Sequence, residues 1–336
     1  MKGHHQRDTD SIKRHIRSDM PFLIPNFPTM SQMRGDARLL YRKSREDRKI
    51  PHMETFEEYR PLLFAIAYRM LGTVNEAEDM VQDTYLRYQA VDPATIQAPK
   101  AFLTTVISRL CLDYLRSAQV KREQYIGPWL PEPLPTQSDR MDDPAETVEV
   151  HETLSMAFLI LIQQLSPLER AIFLLREVFD YGYDEIARIV GREEAACRQL
   201  FSRAKKHLTE NRPRYSSPPE AHMALFAQFL QSCRTGDIAS LQTLLAEDVG
   251  MWADGGGKVQ TATRPLSGRT SVLALLRGLL ARLTPDMTFE VVVLNNRPAL
   301  ITREKGIVTT TLSVETDETH IRKIWMTRNP DKLDHL

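Results

Sequence analysis

The sequence predicts a multidomain protein in which an all-α part, ending in a helix-turn-helix, is followed by an α+β domain. Three observations carry this. At 336 residues the chain exceeds one ordinary domain. As far as Leu208, apolar residues recur at three- and four-residue steps in separate stretches, interrupted by one Pro-rich run. Past Ser216-Ser217-Pro218-Pro219, two more helical patterns give way to short alternating runs typical of strands.

Composition narrows the function classes. Lys+Arg and Asp+Glu balance at 44 each, so any contact with nucleic acid has to come from local patches. Cys111, Cys197 and Cys233 are scattered, with no CxxC pair and no zinc spacing, and read as reduced thiols of a cytoplasmic protein. No apolar run approaches the length of a membrane span, and no signal peptide opens the chain. No metal, cofactor or membrane partner is therefore expected.

Residues 1–52 are polar and irregular, apart from a short apolar patch at 22–27, and are expected to be a disordered extension. Both a solvated tail and a basic arm touching nucleic acid fit them, and Met53 is an alternative start. Residues 56–71 place Phe56, Tyr59, Leu63, Ile66, Ala67 and Met70 on one helical face. Thr73 and Glu76 then stand at capping-box spacing before a helix running to about residue 90. Its polar side is acidic, as the helix dipole favours in a first turn. Asp79, Gln82, Asp83 and Leu86 there form a mixed face suited to a basic protein partner.

A third helix starts near Pro99, with Phe102, Val106, Leu110 and Tyr114 as its apolar stripe. Arg109, Arg116, Lys121 and Arg122 gather positive charge towards its end. Such a helix, with aromatics nearby, suits the backbone of separated DNA strands, and equally a plain solvated helix end. Residues 126–145 include GPWLPEPLP, whose prolines forbid a helix and favour an extended linker. Trp129 and Leu130 are unusual in a spacer and point to docking. A helix is expected over 146–164, and Ser166-Pro167-Leu168-Glu169 supplies N-cap, N1 proline and capping-box acid for the next.

Residues 181–208 hold two short helical patterns broken at Gly191. Ala196, Cys197, Leu200, Phe201, Ala204 and Leu208 form the apolar face of the second. Glu194, Arg198, Gln199, Ser202, Arg203, Lys205 and Lys206 lie opposite. This reads as a helix-turn-helix, although an ordinary helical hairpin with a basic face has the same pattern. Arg or Gln near the start of such a helix can reach base edges in a major groove, while Arg203, Lys205 and Lys206 are better placed for phosphates.

In the last part, residues 222–235 and 238–245 read as helices, 249–253 as a strand, and Asp254-Gly255-Gly256-Gly257-Lys258 as a sharp turn. A helix over 271–281 and strands at 288–294, 299–302, 307–314 and 321–326 complete an α+β domain with a bent sheet cupping helices.

The order of segments resembles the extracytoplasmic-function group of bacterial sigma factors. AEDMVQDTYLRY (residues 77–88) looks like that family's clamp-gripping helix. AFLTTVISRLCLDYLRS (101–117) looks like its promoter-melting segment, and residues 165–208 look like its −35-reading domain. The resemblance implies sigma domain 2 at 53–125 and sigma domain 4 at 146–214. It implies that Asp79, Gln82, Asp83 and Leu86 contact core RNA polymerase, whose β′ clamp and β subunit would be the partners. It also implies that Arg109, Asp113, Arg116, Lys121 and Arg122 serve the −10 element. Arg192, Glu194, Arg198 and Gln199 would read the −35 element, supported by Arg203, Lys205 and Lys206. Arg109 stands where many relatives have Asn. Glu193 stands where Ser or Thr is usual, so the recognition helix begins without a hydroxyl cap.

Residues 219–336 resemble the SnoaL-like domain of the nuclear-transport-factor-like fold. One sigma subgroup joins the two halves and carries a WLPEPL linker, a DGGG turn and a terminal NPDKL; all three are present. They imply regulatory contacts at Trp129, Asp254, Gly255, Gly256, Gly257, Asn329, Pro330, Asp331 and Lys332. Free-standing relatives use Asp or His catalytically, which makes Asp254, Asp317 and His320 the residues to weigh. None lies in a pattern that fixes a role, and the expectation is a non-enzymatic regulatory module, with a small ligand in a retained pocket as one means of sensing. The rival readings are a helix-turn-helix regulator independent of polymerase and a fused SnoaL-like enzyme.

Overall fold

The computed structural model describes residues 51–123, 125–136, 153–211 and 217–336, the side chains of 51–52, 93 and 118–123 apart. The expected N-terminal extension up to residue 50 and the 137–152 stretch of the linker and following helix lie outside the described residues.

Three long helices come first: α1 (Pro51–Leu71), α2 (Val74–Gln89) and α3 (Pro99–Glu123). Gly72 turns α1 into α2 at φ +78°, and a β-carbon there would come within 2.9 Å of the Trp129 ring, so the turn needs glycine twice over. The expected capping box is absent. Thr73 occupies the N-cap position without a side-chain hydrogen bond. Glu132 from the linker takes its place, accepting from Val74 N at 2.5 Å and Asn75 N at 3.4 Å. A distant carboxylate reaches those amides in a better position than the local hydroxyl.

Four shorter helices follow: α4 (Met156–Ile162), α5 (Pro167–Phe173), α6 (Tyr183–Val190) and α7 (Glu194–Asn211). The helix expected from residue 146 has a later start among the described residues. Ser155 caps α4 by accepting from Phe158 N, and residues 153–155 are non-helical. The Ser166/Glu169 capping box of α5 is formed as its spacing predicts. One core runs through both groups of helices: Leu63, Ile66, Leu103 and Ile107 meet Leu159, Ile162, Phe173, Ala204 and Leu208. At about 1.5–3 kcal/mol for each large side chain withdrawn from water, this seam binds the two groups into one body. Arg170, itself buried, ties them further by donating to Met70 O at 2.7 Å and to Ile162 O at 3.1 Å.

The C-terminal part has α8 (Pro219–Thr235), α9 (Ile238–Leu244) and α10 (Arg269–Leu280) against six strands. These are β1 (Leu245–Asp254), β2 (Leu266–Ser267), β3 (Met287–Leu294), β4 (Arg297–Glu304), β5 (Ile307–Thr316) and β6 (Ile321–Thr327). The sheet order is β2-β1-β6-β5-β4-β3. β3 to β6 form the expected meander, whereas β1 crosses over to pair parallel with β6, and the two-residue β2 was not anticipated. Phe226, Phe229, Val272 and Leu276 pack on Met251, Val314, Ile324 and Met326 of one sheet face. Alternation sends Trp252 and Trp325 to the other face, where Leu130 of the linker and Met156 of α4 cover them. This is the expected α+β arrangement, docked on the helical part through its sheet.

Candidate nucleic-acid interface

The turn between α6 and α7 is made by Gly191 at φ +68°, a left-handed cap whose amide returns to Ala187 O at 2.9 Å. Ile172, Leu175, Tyr181, Ile186, Ile189 and Cys197 form the small core that fixes the angle between the two helices. The opposite face is open: Arg192, Glu194, Arg198, Gln199, Arg203, Lys205 and Lys206 are all exposed. They differ in how they are held. Arg198 pairs with Glu194 and lies 4.4 Å from the Tyr183 ring centre. Lys205 reaches Glu177 at 2.8 Å, and Lys206 stands 3.9 Å from Glu210. Glu193 offers Cys197 N only its carbonyl, at 3.0 Å.

The α3 residues are placed differently. Arg109 donates through Nε to Ile189 O and through a terminal nitrogen to Arg188 O, both at 2.9 Å. These are carbonyls at the end of α6, where the helix dipole favours a cation. Above it, Thr104 and Tyr181 share a buried hydroxyl–hydroxyl hydrogen bond of 2.8 Å. Asp113 and Arg116 are exposed and pair with each other at 3.2 Å. Lys121 and Arg122 lie in α3, their side chains outside the described set. On α2, Asp79, Gln82, Asp83 and Leu86 are all exposed at helical spacing, Leu86 by 55%.

The three motif segments close on one point. Asp254, fully buried at the end of β1, accepts from Tyr125 OH at 2.5 Å, Leu130 N at 2.9 Å, Gly256 N at 3.0 Å and Lys332 Nζ at 2.8 Å. Its carbonyl accepts from Arg328 N and Asn329 N. The Lys332 ammonium also donates to Leu130 O and sits 4.0 Å from the Trp129 ring centre. A β-carbon on Gly256, at φ +60°, would fall 2.5 Å from the Asn329 side chain, so the motif glycine makes room for the motif asparagine. Burial, with the Asp254 hydrogen bond and charge after it, pushes the Tyr125 phenol far above its ordinary pKa. Lys258 and Asp331 add an exposed pair at 2.6 Å. Asp254 is thus a structural counter-ion in a closed node. Asp317 holds a turn, accepting from Thr319 N, His320 N and Arg322. Partial burial would raise its pKa, but these hydrogen bonds and the guanidinium outweigh it and leave the value near 2.

Several residues of this arrangement went unnoticed in the sequence. Tyr68 donates to Glu132 O at 2.7 Å and receives a hydrogen bond from Asn295 Nδ2 at 2.6 Å. Asn295 Oδ1 accepts from Leu134 N, and His335 reaches Pro133 O at 2.7 Å. The one available signal was Asn295-Asn296 between two β runs, both at positive φ as a tight hairpin turn demands. Among the described residues, no helix is long and apolar enough to cross a membrane. Nor does any group of three or more His, Cys, Asp or Glu among them suit a metal ion.

Comparison with known proteins agrees with this geometry. Residues 55–120 match the family model of Sigma-70 region 2, and residues 155–208 that of Sigma-70, region 4. The chain is 36% identical over 293 residues to the ECF RNA polymerase sigma factor SigJ of Mycobacterium tuberculosis, covering 83% of this chain and 92% of the relative. It is 34% identical to the probable ECF RNA polymerase sigma factor SigI of the same species, over 58% of this chain and 67% of that one. The crystal structure of M. tuberculosis SigJ aligns with a TM-score of 0.66 at 31% identity, covering 84% of this chain and 98% of its own. Helical segments, helix-turn-helix and whole-chain likeness agree: the chain belongs to the extracytoplasmic-function (ECF) RNA polymerase sigma factors.

Proposed function

We propose that this sigma factor brings core RNA polymerase to promoters and is restrained in cis by its own C-terminal domain. The exposed face of Asp79, Gln82, Asp83 and Leu86 meets the polymerase clamp. The α7 face, through Arg192, Glu194, Arg198 and Gln199, reads the upstream element, with Arg203, Lys205 and Lys206 on phosphates. Arg109, Asp113, Arg116, Lys121 and Arg122 of α3 serve the melted element. Two DNA elements at separate positions cannot both be met while α3 shares one core with α7 and is fastened to α6 through Arg109, so promoter engagement requires the helical part to open.

The observation that carries the restraint is the grip of the buried Asp254–Lys332 pair on Leu130, whose N–H donates to Asp254 and whose carbonyl accepts from Lys332, which fastens the linker between the two sigma segments to the C-terminal domain. Trp129, Gly255, Gly256, Gly257, Asn329, Pro330 and Asp331 shape the surroundings of that node. We infer no catalytic role for Asp254, Asp317 or His320. Asp254 is consumed by its four donors, and a carboxylate near pKa 2 is a poor proton donor at neutral pH. The setting is that of the transcription machinery, in the cytoplasm.

Co-purification with core polymerase tests the reading. The intact chain is expected to bind weakly, Asp254→Asn more tightly, and Asp79→Arg/Asp83→Arg not at all. Equal binding by the intact and charge-reversed chains would remove the clamp assignment. Equal binding by the intact chain and Asp254→Asn would remove the restraint.

A further inference from the structure

We propose that Tyr183, the first residue of α6, is a positioning residue that aims Arg198 at a guanine in the upstream promoter element. This rests on the reading of Arg198 as a base-contacting residue and adds what holds it. The Tyr183 ring has Arg198 at 4.4 Å and Arg176 at 5.4 Å from its centre. Its edge meets Phe201, at 5.9 Å and 77°, and Phe201 stacks at 6.0 Å on the buried Phe173. The platform is therefore anchored to the core of the helical part rather than free to turn.

Arg198 itself is open to solvent, its side chain 59% exposed. A long exposed arginine ordinarily samples many rotamers. Here the aromatic face holds the plane of the guanidinium, and Glu194, one turn earlier, holds one terminal nitrogen. A guanidinium lying on a ring keeps the N–H groups at its edge available, and that edge matches the paired O6 and N7 acceptors of guanine in the major groove. Ser202, Lys205 and Lys206 continue the same groove along α7, offering a hydroxyl and two ammonium groups for the flanking phosphates.

The test uses holoenzyme assembled with core RNA polymerase, selecting binders from duplexes randomised over the upstream element. Four chains are compared: intact, Arg198→Ala, Tyr183→Phe and Tyr183→Leu. The intact chain is expected to select guanine at one position, and Arg198→Ala to lose that preference. Tyr183→Leu should weaken the same preference about three- to tenfold, without changing the others, and Tyr183→Phe should restore it, because the ring and not the hydroxyl acts. The NMR signal of Arg198 Nε–H in the free protein should lose its ring-current shift in Tyr183→Leu and keep it in Tyr183→Phe, which checks the geometry independently of DNA. An unchanged guanine preference in Tyr183→Leu overturns the proposal. So does a loss spread evenly over all positions, which a merely structural tyrosine would give. If Arg198→Ala changes no position, the assignment of Arg198 fails, and Tyr183 falls with it.

Discussion

The two helices proposed to meet DNA are presented in opposite ways. α7 turns its polar side outward, and the side chains of Arg192, Gln199 and Arg203 form no hydrogen bond or ion pair with other described residues. α3 is turned inward, its Arg109 spent on the carbonyl end of α6 and its Thr104 on Tyr181. On the proposed reading, the difference teaches that restraint needs no cover over the recognition helix. Packing one reader against the scaffold of the other leaves a surface that can meet duplex DNA while the second surface waits.

Breaking the node should have the largest effect. Asp254→Ala leaves the Lys332 ammonium buried without its carboxylate, which costs about 3–5 kcal/mol. Thermal unfolding should show the loss, and hydrogen exchange at Leu130 N should rise first. The double variant Asp254→Asn/Lys332→Met should recover most of it, since removing both charges removes the penalty.

Acid probes the C-terminal side. Burial holds His222 neutral and lowers its pKa to about 4, its Nδ1 lying 2.9 Å from Thr316 Oγ1. A base with a depressed folded-state pKa contributes stability above its unfolded value and loses it as pH falls. Between pH 6.5 and about 4 the domain should lose about 3 kcal/mol. Unfolding midpoints measured across that window should be flatter for His222→Gln.

Arg109→Ala addresses the contrast directly. Two charge-assisted hydrogen bonds at an exposed site are worth about 1 kcal/mol here. Stability should fall only slightly, but distance-sensitive fluorescence between α3 and α6 should broaden, with α7 unchanged. A distribution as narrow as that of the intact chain would mean that the shared apolar core alone holds α3.

Glu132 should give the smallest effect. Glu132→Ala removes the acceptor for the first amides of α2 and costs about 1 kcal/mol. Burial raises its carboxyl pKa, outweighing the Val74 hydrogen bond, and Glu76 adds to the rise. The protonated form is therefore more favoured in the folded than in the unfolded chain, so this group's contribution falls as pH rises through its unfolded and then its folded value. Glu132→Gln should be near neutral in stability and should flatten that part of the acid profile.

What could be read in the sequence was local. The periodicity of α1 to α3, the Ser166/Glu169 box and the Gly191 turn depend on neighbours within one or two turns, and each was visible. The three motifs could be recognised as words, but not that they meet, because Asp254 and Lys332 are 78 residues apart and Asp254 and Leu130 are 124 apart. Thr73 and Glu76 had the right spacing and lost their role to Glu132, 58 residues from Val74. Arg109 reads as a solvent-facing cation until Ile189 O is placed beside it. The parallel β1–β6 pairing escaped for a related reason: alternation reports a strand's face and says nothing of its neighbour.

The node has a consequence in time. Lys332 follows Leu130 by 202 residues. At a ribosomal rate of about 5–20 residues per second, the linker is made roughly 10–40 s before its lysine partner. Throughout that interval the nascent helical part lacks the clasp, and polymerase core encountered then would meet an unrestrained factor. Ribosome-stalled chains ending before β6 should capture core polymerase more readily than chains released complete. Equal capture would show that the clasp has no bearing on first encounter.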